Sequence, residues 1–298
     1  MFNSLKFKVI LFGFIFTFFS SFGQSYFLGL FNSSIREALS ITHGQFGSIY
    51  ASATLCSSLL LIWVGKKIDD VNIFKFAFFV TVLLSFACFF FSRITSVFLL
   101  FVAIFLIRFS GQGMMSHTAS TTISRYFTRT RGKALSISWF GLSSAEFIMP
   151  VLMVYLLTII DWQNLWLIFS ITVLIVLPIA SFLLIKNLNL DSREANDENI
   201  KEVEIKQWKR IEVIKDYRFY IISSNMLAMP WIFTGFAVFQ SFVQTSKGWG
   251  PYVIAQSFMS YSILSVLTLF LSGFLIDKFT SRKLLIYMNI PLLLSVIV

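Results

Sequence analysis

Charge is scarce in this chain: Asp, Glu, Lys and Arg make up 13% of its 298 residues, against about a quarter in soluble domains. So few charges cannot cover a folded body of this size with a water-compatible surface, which excludes a soluble enzyme. Cysteine is nearly absent. Cys56 and Cys88 each lie inside an apolar run without a second thiol nearby, so a disulfide framework and metal-ligand spacing are both excluded. No metal or cofactor is expected, and the two thiols read as packing residues. Catalytic signatures are missing too: there is no Walker loop, no His-Glu-x-x-His and no Gly-x-Ser-x-Gly. An ATP-driven pump and an intramembrane enzyme therefore have no candidate residues.

Apolar residues are what the chain has in excess. They make up 57% of it, with 37 Phe, and mean hydropathy is +0.80. A helix needs roughly 20 apolar residues to cross a hydrocarbon core about 30 Å thick. Runs that meet this length lie at 9–31, 45–64, 73–92, 97–119, 134–158, 165–186, 218–243 and 252–273, and a ninth runs from Leu284 to Val298. They are too long, and too far from period-two alternation, for strands. The expected class is an all-α integral membrane protein, multi-pass, with eight to nine transmembrane helices.

The net charge of +10 belongs to the loops and not to a nucleic-acid face, because Lys and Arg sit in short clusters between apolar runs. With a cytoplasmic N-terminus, 20 of the 24 basic residues fall in cytoplasmic segments, and only Arg36, Arg93 and Lys247 fall in outer loops. That asymmetry predicts the orientation. The first run resembles a signal peptide in its basic start and its small residues Ser20, Ser21 and Gly23. Its apolar character continues to Phe31, so an uncleaved helix is expected. Trp162 and Trp166 flank an outer loop and read as an aromatic belt.

Between Asn187 and Asp216 the chain turns polar, with acids and bases nearly cancelling. This predicts a solvated linker with a short amphipathic helix near Ile205–Ile214. The expected organisation is a six-helix bundle over 1–187, a central cytoplasmic loop over 188–216 and an incomplete second bundle over 217–298.

A short pattern occurs twice. Gly65-Lys66-Lys67-Ile68-Asp69 follows the second run, and Gly273-Phe274-Leu275-Ile276-Asp277-Lys278 follows the eighth, with Arg282 and Lys283 beyond it. Repeated helical units are a common plan for secondary transporters. Glycine at this place lets helix backbones approach closely, and the Asp can pair with loop cations. The pattern resembles the signature loop of the major facilitator superfamily, Gly-x-x-x-Asp-Arg/Lys-x-Gly-Arg-Arg. The first copy departs from it, with Asp70, Asn72 and Ile73 at basic and glycine positions. Arg108 followed by Gly111, Gln112 and Gly113 is similar to the family's Arg-x-x-Gln-Gly with one residue added, and Arg131-Gly132-Lys133-Ala134 resembles its Arg-Gly-Arg-Ala. The stretch Phe22-Gly23-Gln24-Ser25 through Phe31 resembles helix one of bacterial members similar to monocarboxylate transporters.

The resemblance implies a major facilitator-type bundle of twelve helices, so a C-terminally truncated chain is expected; a complete eight-helix protein is the alternative. It also implies that Asp69 faces helix eleven, beyond the end of this sequence. Gly141 and Pro150 resemble part of the drug–proton antiporter element, whose Gly-Pro-x-x-Gly-Gly core is missing; Pro150 is expected to bend its helix.

Ionisable groups inside a bilayer cost at least about 2.5–3.5 kcal/mol, so each one asks for a reason. Arg108 and Glu146 lie roughly 16 and 18 Å into two adjacent antiparallel runs, which puts both near the midplane. They predict either an ion pair or two faces of one polar cavity, and a purely structural bridge is the alternative. Gln112, Gln24 and Gln240 are further candidates for the pathway of solute and protons, with helix–helix hydrogen bonding as the alternative. His117 reads as an interfacial histidine. Gly65, Asp69, Gly273, Asp277, Lys278 and Arg282 are expected to act as conformational-switch loop motifs.

The expected function is secondary transport by alternating access in the bacterial inner membrane, by a monomer. The cargo is a small solute, with a preference for an organic anion or zwitterion set by Arg108, and protons are the expected coupling ion. A non-transporting sensor, an inactive remnant and an efflux antiporter are the alternatives.

Overall fold

The computed structural model describes residues 5–127, 130–186, 210–279 and 281–297. Among these, every regular element is a helix. Eight helices are long and apolar enough to cross a membrane: Leu5–Gly23, His43–Asp69, Ile73–Phe91, Val97–Tyr126, Arg131–Leu156, Trp162–Ile185, Tyr217–Val238 and Pro251–Leu269. They are the first to eighth spans below, the first counted together with its continuation in the helices Ser25–Leu30 and Asn32–Leu39, and the seventh with Gln240–Lys247. The expected ninth run is a shorter apolar segment, Lys283–Ser295, broken at Met288 and Asn289.

Polar caps mark where several spans begin. Thr42 and Gln45 form a capping box on the second span. Asn72 Oδ1 accepts from the amides of Phe74 and Lys75 at the third, and Ser96 Oγ from that of Leu99 at the fourth. Each cap satisfies a backbone donor that the first helical turn leaves open. The central loop falls largely outside the described residues; its close, Arg210–Lys215, is the helical end of the expected amphipathic segment.

The first span packs against the fifth, the third against the sixth, and the fifth also against the eighth. Small residues bring the first and fifth together: Thr17 Oγ1 donates to Ser138 O at 2.5 Å, and a Cβ on Gly141 would meet Phe14 O and Thr17 Oγ1. Gly141 therefore serves helix contact, the usual role of small residues between membrane helices. Pro150 lies inside the fifth span without ending it.

The aromatic-belt expectation for the tryptophans is corrected. Trp166 is fully buried and Trp162 nearly so. Trp166 lies 4.2 Å from the Phe91 ring and 5.3 Å from that of Phe31, in an aromatic cluster that joins the first, third and sixth spans. Sequence position near a loop does not reveal which way an indole points. Of the two thiols, Cys88 is buried and Cys56 exposed.

Two spans expected to be continuous are interrupted. The first loses α-helical form after Phe19 and breaks again at Phe31, before the helix Asn32–Leu39. The seventh stops at Val238, and Gln240–Lys247 follows. These interruptions repeat in register. The offset from Gly65 to Gly273 also carries Phe31 onto Phe239, Asn32 onto Gln240, and Ser40 onto Gly248. Ser40 and Gly248 are both left-handed, at φ 52° and 64°, and each terminates an eight-residue helix. The sequence repeat is thus also a repeat of backbone conformation.

Candidate functional site

The first break builds the site. Ser20–Gly23 form a 3-10 turn, Gln24 is extended at ψ 152°, and helix resumes over Ser25–Leu30. A break removes intrahelical partners from backbone groups, and within a bilayer the protein must replace them. Opposite it, the fourth span becomes a π-helix over Arg108–Met115, a form common at functional sites. Glycines let the two irregular segments touch: a Cβ on Gly23 would lie 2.6 Å from Ile107 O, and one on Gly111 would lie 2.7 Å from Gly23 N.

Arg108 occupies this crossing and is only 6% exposed. Its Nη1 donates to Gly23 O at 2.8 Å and to Ser25 Oγ at 3.4 Å. Its guanidinium lies 5.3 Å from the Tyr50 ring centroid, and the Tyr50 hydroxyl donates to Ser25 Oγ at 2.8 Å. Nε is left without a hydrogen-bond partner. The cation is thus held by dipoles and a ring face, and no carboxylate among the described residues neutralises it.

Glu146 is buried, at 8% exposure, and among the described residues no ion pair joins it to Arg108. Matched depth does not fix the direction in which a side chain leaves its helix, and the broken first span offers Arg108 a backbone acceptor instead. Glu146 lies within electrostatic range of the phenols of Tyr26 and Tyr261, on the first and eighth spans. Ser21 Oγ and Tyr26 Oη are buried without hydrogen-bond partners. Ser21, Tyr26 and Arg108 thus leave polar capacity unused in the interior.

The glutamines divide. Gln24 is half-buried at the break itself, and Gln112 is half-buried with its backbone nitrogen against Gly23. Gln240 lies apart, at the end of the seventh span: its Nε2 donates to Tyr26 O at 2.9 Å. Near the chain's starting end, Asp69 pairs with Arg125 of the fourth span. Arg125 thus gives Asp69 a cationic partner among the described residues. Gly65 does not mediate a close backbone approach, since a Cβ there would have ordinary contacts of 3.5 Å or more. Its carbonyl instead meets His117 Nε2 at 2.9 Å, which gives His117 a specific partner in place of a general interfacial role. Lys278 is exposed over the Phe279 ring. The surroundings of Gly273 and the side chains of Asp277 and Arg282 lie outside what the structure describes.

Sequence reasoning missed Tyr26, Ser25, Tyr50, Tyr261 and Asn32. Only Asn32 carried a readable signal: the repeat offset aligns it with Gln240.

Broken helices meeting at a buried cation inside a helical membrane bundle define a polytopic membrane protein of the transporter type. The sequence profile of the Major Facilitator Superfamily matches residues 13–298, so the chain belongs to that superfamily. No curated protein sequence matches it. Among solved structures it is similar to a bacterial homologue of the human lysosomal transporter Spinster. The inward-facing, unoccupied form has a TM-score of 0.70 at 16% identity, covering 94% of this chain and 64% of that one. The inward-facing, occupied form has a TM-score of 0.64 at 16% identity, covering 93% and 62%. The present chain thus spans less than two thirds of either neighbour.

Proposed function

We propose that this protein is a proton-coupled secondary transporter that moves a small organic anion or zwitterion by alternating access. Membership of a transporter superfamily supports the general reading. The observation that carries the specific one is Arg108: a buried guanidinium without a carboxylate partner among the described residues, with Nε unused. An anionic group in that place would supply the missing countercharge, and a bidentate approach to guanidinium is the strong form of that interaction.

Glu146 is the proton carrier in this reading. A buried carboxylate is pushed toward its neutral form by desolvation and toward its charged form by a nearby cation or hydrogen-bond donor. Its protonation therefore follows whether the cavity is wet and whether Arg108 is engaged by solute. Gln24, Gln112 and the phenols of Tyr26 and Tyr261 line the same pathway. The orientation that accompanies this reading is a cytoplasmic N-terminus in a bacterial inner membrane, and the working unit is a monomer.

Vesicles reconstituted with the protein test it, with a panel of radiolabelled carboxylates and amino acids as probes. Glu146→Gln imitates permanent protonation, so solute exchange is retained while accumulation driven by a pH gradient is lost. Arg108→Ala abolishes both. Accumulation by the Gln variant at the parent rate would remove Glu146 from coupling, and uptake by Arg108→Ala at the parent rate would remove the anion site.

A further inference from the structure

Away from the Arg108 crossing, two amides fasten the first span to the seventh. Asn32 Nδ2 donates to Val238 O at 2.8 Å, and Gln240 Nε2 donates to Tyr26 O at 2.9 Å. Asn32 and Gln240 are equivalent under the repeat offset, so each copy sends one amide across to the other's backbone. A carbonyl only accepts, so these contacts fix both amides with nitrogen toward the carbonyl and oxygen turned away.

The two oxygens then meet different fates. Asn32 Oδ1 accepts from Arg36 Nε at 2.7 Å, one helical turn on. The position equivalent to Arg36 is Gln244, and Gln240 Oε1 has no partner although its residue is only 3% exposed. The side chain lines a pocket of about 230 Å³, with Gln244, Ser241, Ser33, Ser34 and Gly29 among its walls. Ser241 Oγ is likewise buried without a partner. An acceptor left open in a buried place is unfavourable unless something donates to it.

The geometry points to a ligand site in this pocket, for a small neutral solute bearing several hydrogen-bond donors, of the polyol class. The ligand takes the part that Arg36 plays in the first copy: it donates to Gln240 Oε1, with the serine hydroxyls and Gln244 meeting its remaining groups. No acidic or basic side chain lines the pocket, so a charged ligand would find no countercharge. Its volume equals roughly seven water molecules, enough for a six-carbon polyol. The walls come from the first, fifth and eighth spans and from the helix Gln240–Lys247. Occupancy therefore braces the contact between the first and seventh spans and disfavours its opening.

Thiol labelling of purified protein tests this, with inositol as the probe. In a Cys56→Ser background, Ser33→Cys reports the pocket wall, and Ser246→Cys reports an exposed residue outside it. Inositol is expected to slow maleimide labelling at Ser33→Cys at least five-fold and saturably, without changing Ser246→Cys. Gln244→Arg restores the Asn32–Arg36 pattern internally, so in that variant the protection disappears while the thermal unfolding midpoint is kept or raised. Absence of protection, equal slowing at both cysteines, protection that survives Gln244→Arg, or protection by choline in place of inositol would each overturn the assignment. None of these outcomes depends on transport through Arg108.

Discussion

At the level of single residues, glycine shows how a motif position and a structural requirement separate. Gly65 belongs to the repeated pattern, yet its place has ordinary room for a Cβ. Gly23 belongs to no repeated pattern, and its Cβ would enter the backbone of the fourth span. Gly65→Ala is therefore expected to leave the unfolding free energy in detergent within about 0.5 kcal/mol of the parent, the usual range for a residue without special packing. Gly23→Ala forces two backbones apart and is expected to cost about 1–3 kcal/mol, as overpacking does. Equal effects of the two, measured by thermal or SDS unfolding, would contradict the crossing described here. Arg108 makes the same point for charge. Its depth followed from counting residues, but its partner is a carbonyl made available only by a helix break 85 positions away.

Elements are held by hydrogen bonds that the bilayer leaves few competitors for. Thr17 Oγ1 joins the first span to the fifth through Ser138 O. Thr17→Val keeps the shape and removes the donor, with an expected loss of about 1 kcal/mol, in the range measured between membrane helices. An unchanged unfolding curve would mean that packing alone joins the two spans. The seventh span has an electrostatic start. The Arg218 side chain and its amide donate to Asp216, and they hold the Asp216 carboxyl below the usual aspartate range. A carboxylate whose pKa is lowered by folding contributes stability above its unfolded value and loses that contribution as pH falls through the folded one. Acidification below the normal aspartate range should thus fray Tyr217 and its neighbours first, seen as faster amide exchange there. Asp216→Asn should remove most of that pH dependence, and an unchanged profile in the variant would assign it elsewhere.

Across the whole molecule, orientation is the property that loop charge decides. A reporter near Glu198 is expected to read cytoplasmic and one at Lys247 to read the opposite side; the reverse pair of readings would invert the assignment. Under the proposed orientation the Asn32–Val238 and Gln240–Tyr26 contacts form an outer closure, since they lie toward the end of the first span away from the N-terminus. The double variant Asn32→Ala with Gln240→Ala should speed labelling of a cysteine at position 21 from that side. Labelling at the parent rate would reduce the amides to local packing.

Sequence by itself determined the class, the places of the eight long spans and the presence of a repeat, but not the breaks that end the first and seventh spans early. What it determined follows from local quantities, namely the length of apolar runs, the charge of loops and the recurrence of Gly65 to Asp69 at Gly273 to Asp277. It also singled out Arg108 and Glu146, because a charge inside an apolar run is conspicuous wherever it points. Tertiary structure alone decided what those residues meet. Trp166 became core instead of belt, Asp69 found Arg125, and Arg108 turned to Gly23 O and left Glu146 near two phenols. The reason is geometric: composition and spacing fix depth along a helix axis, while rotation about the axis and breaks within it depend on neighbours distant in sequence. Gln240 illustrates both sides. Its polarity was legible in the chain, but its open acceptor emerged only once the repeat had placed Gln244 where the other copy has Arg36.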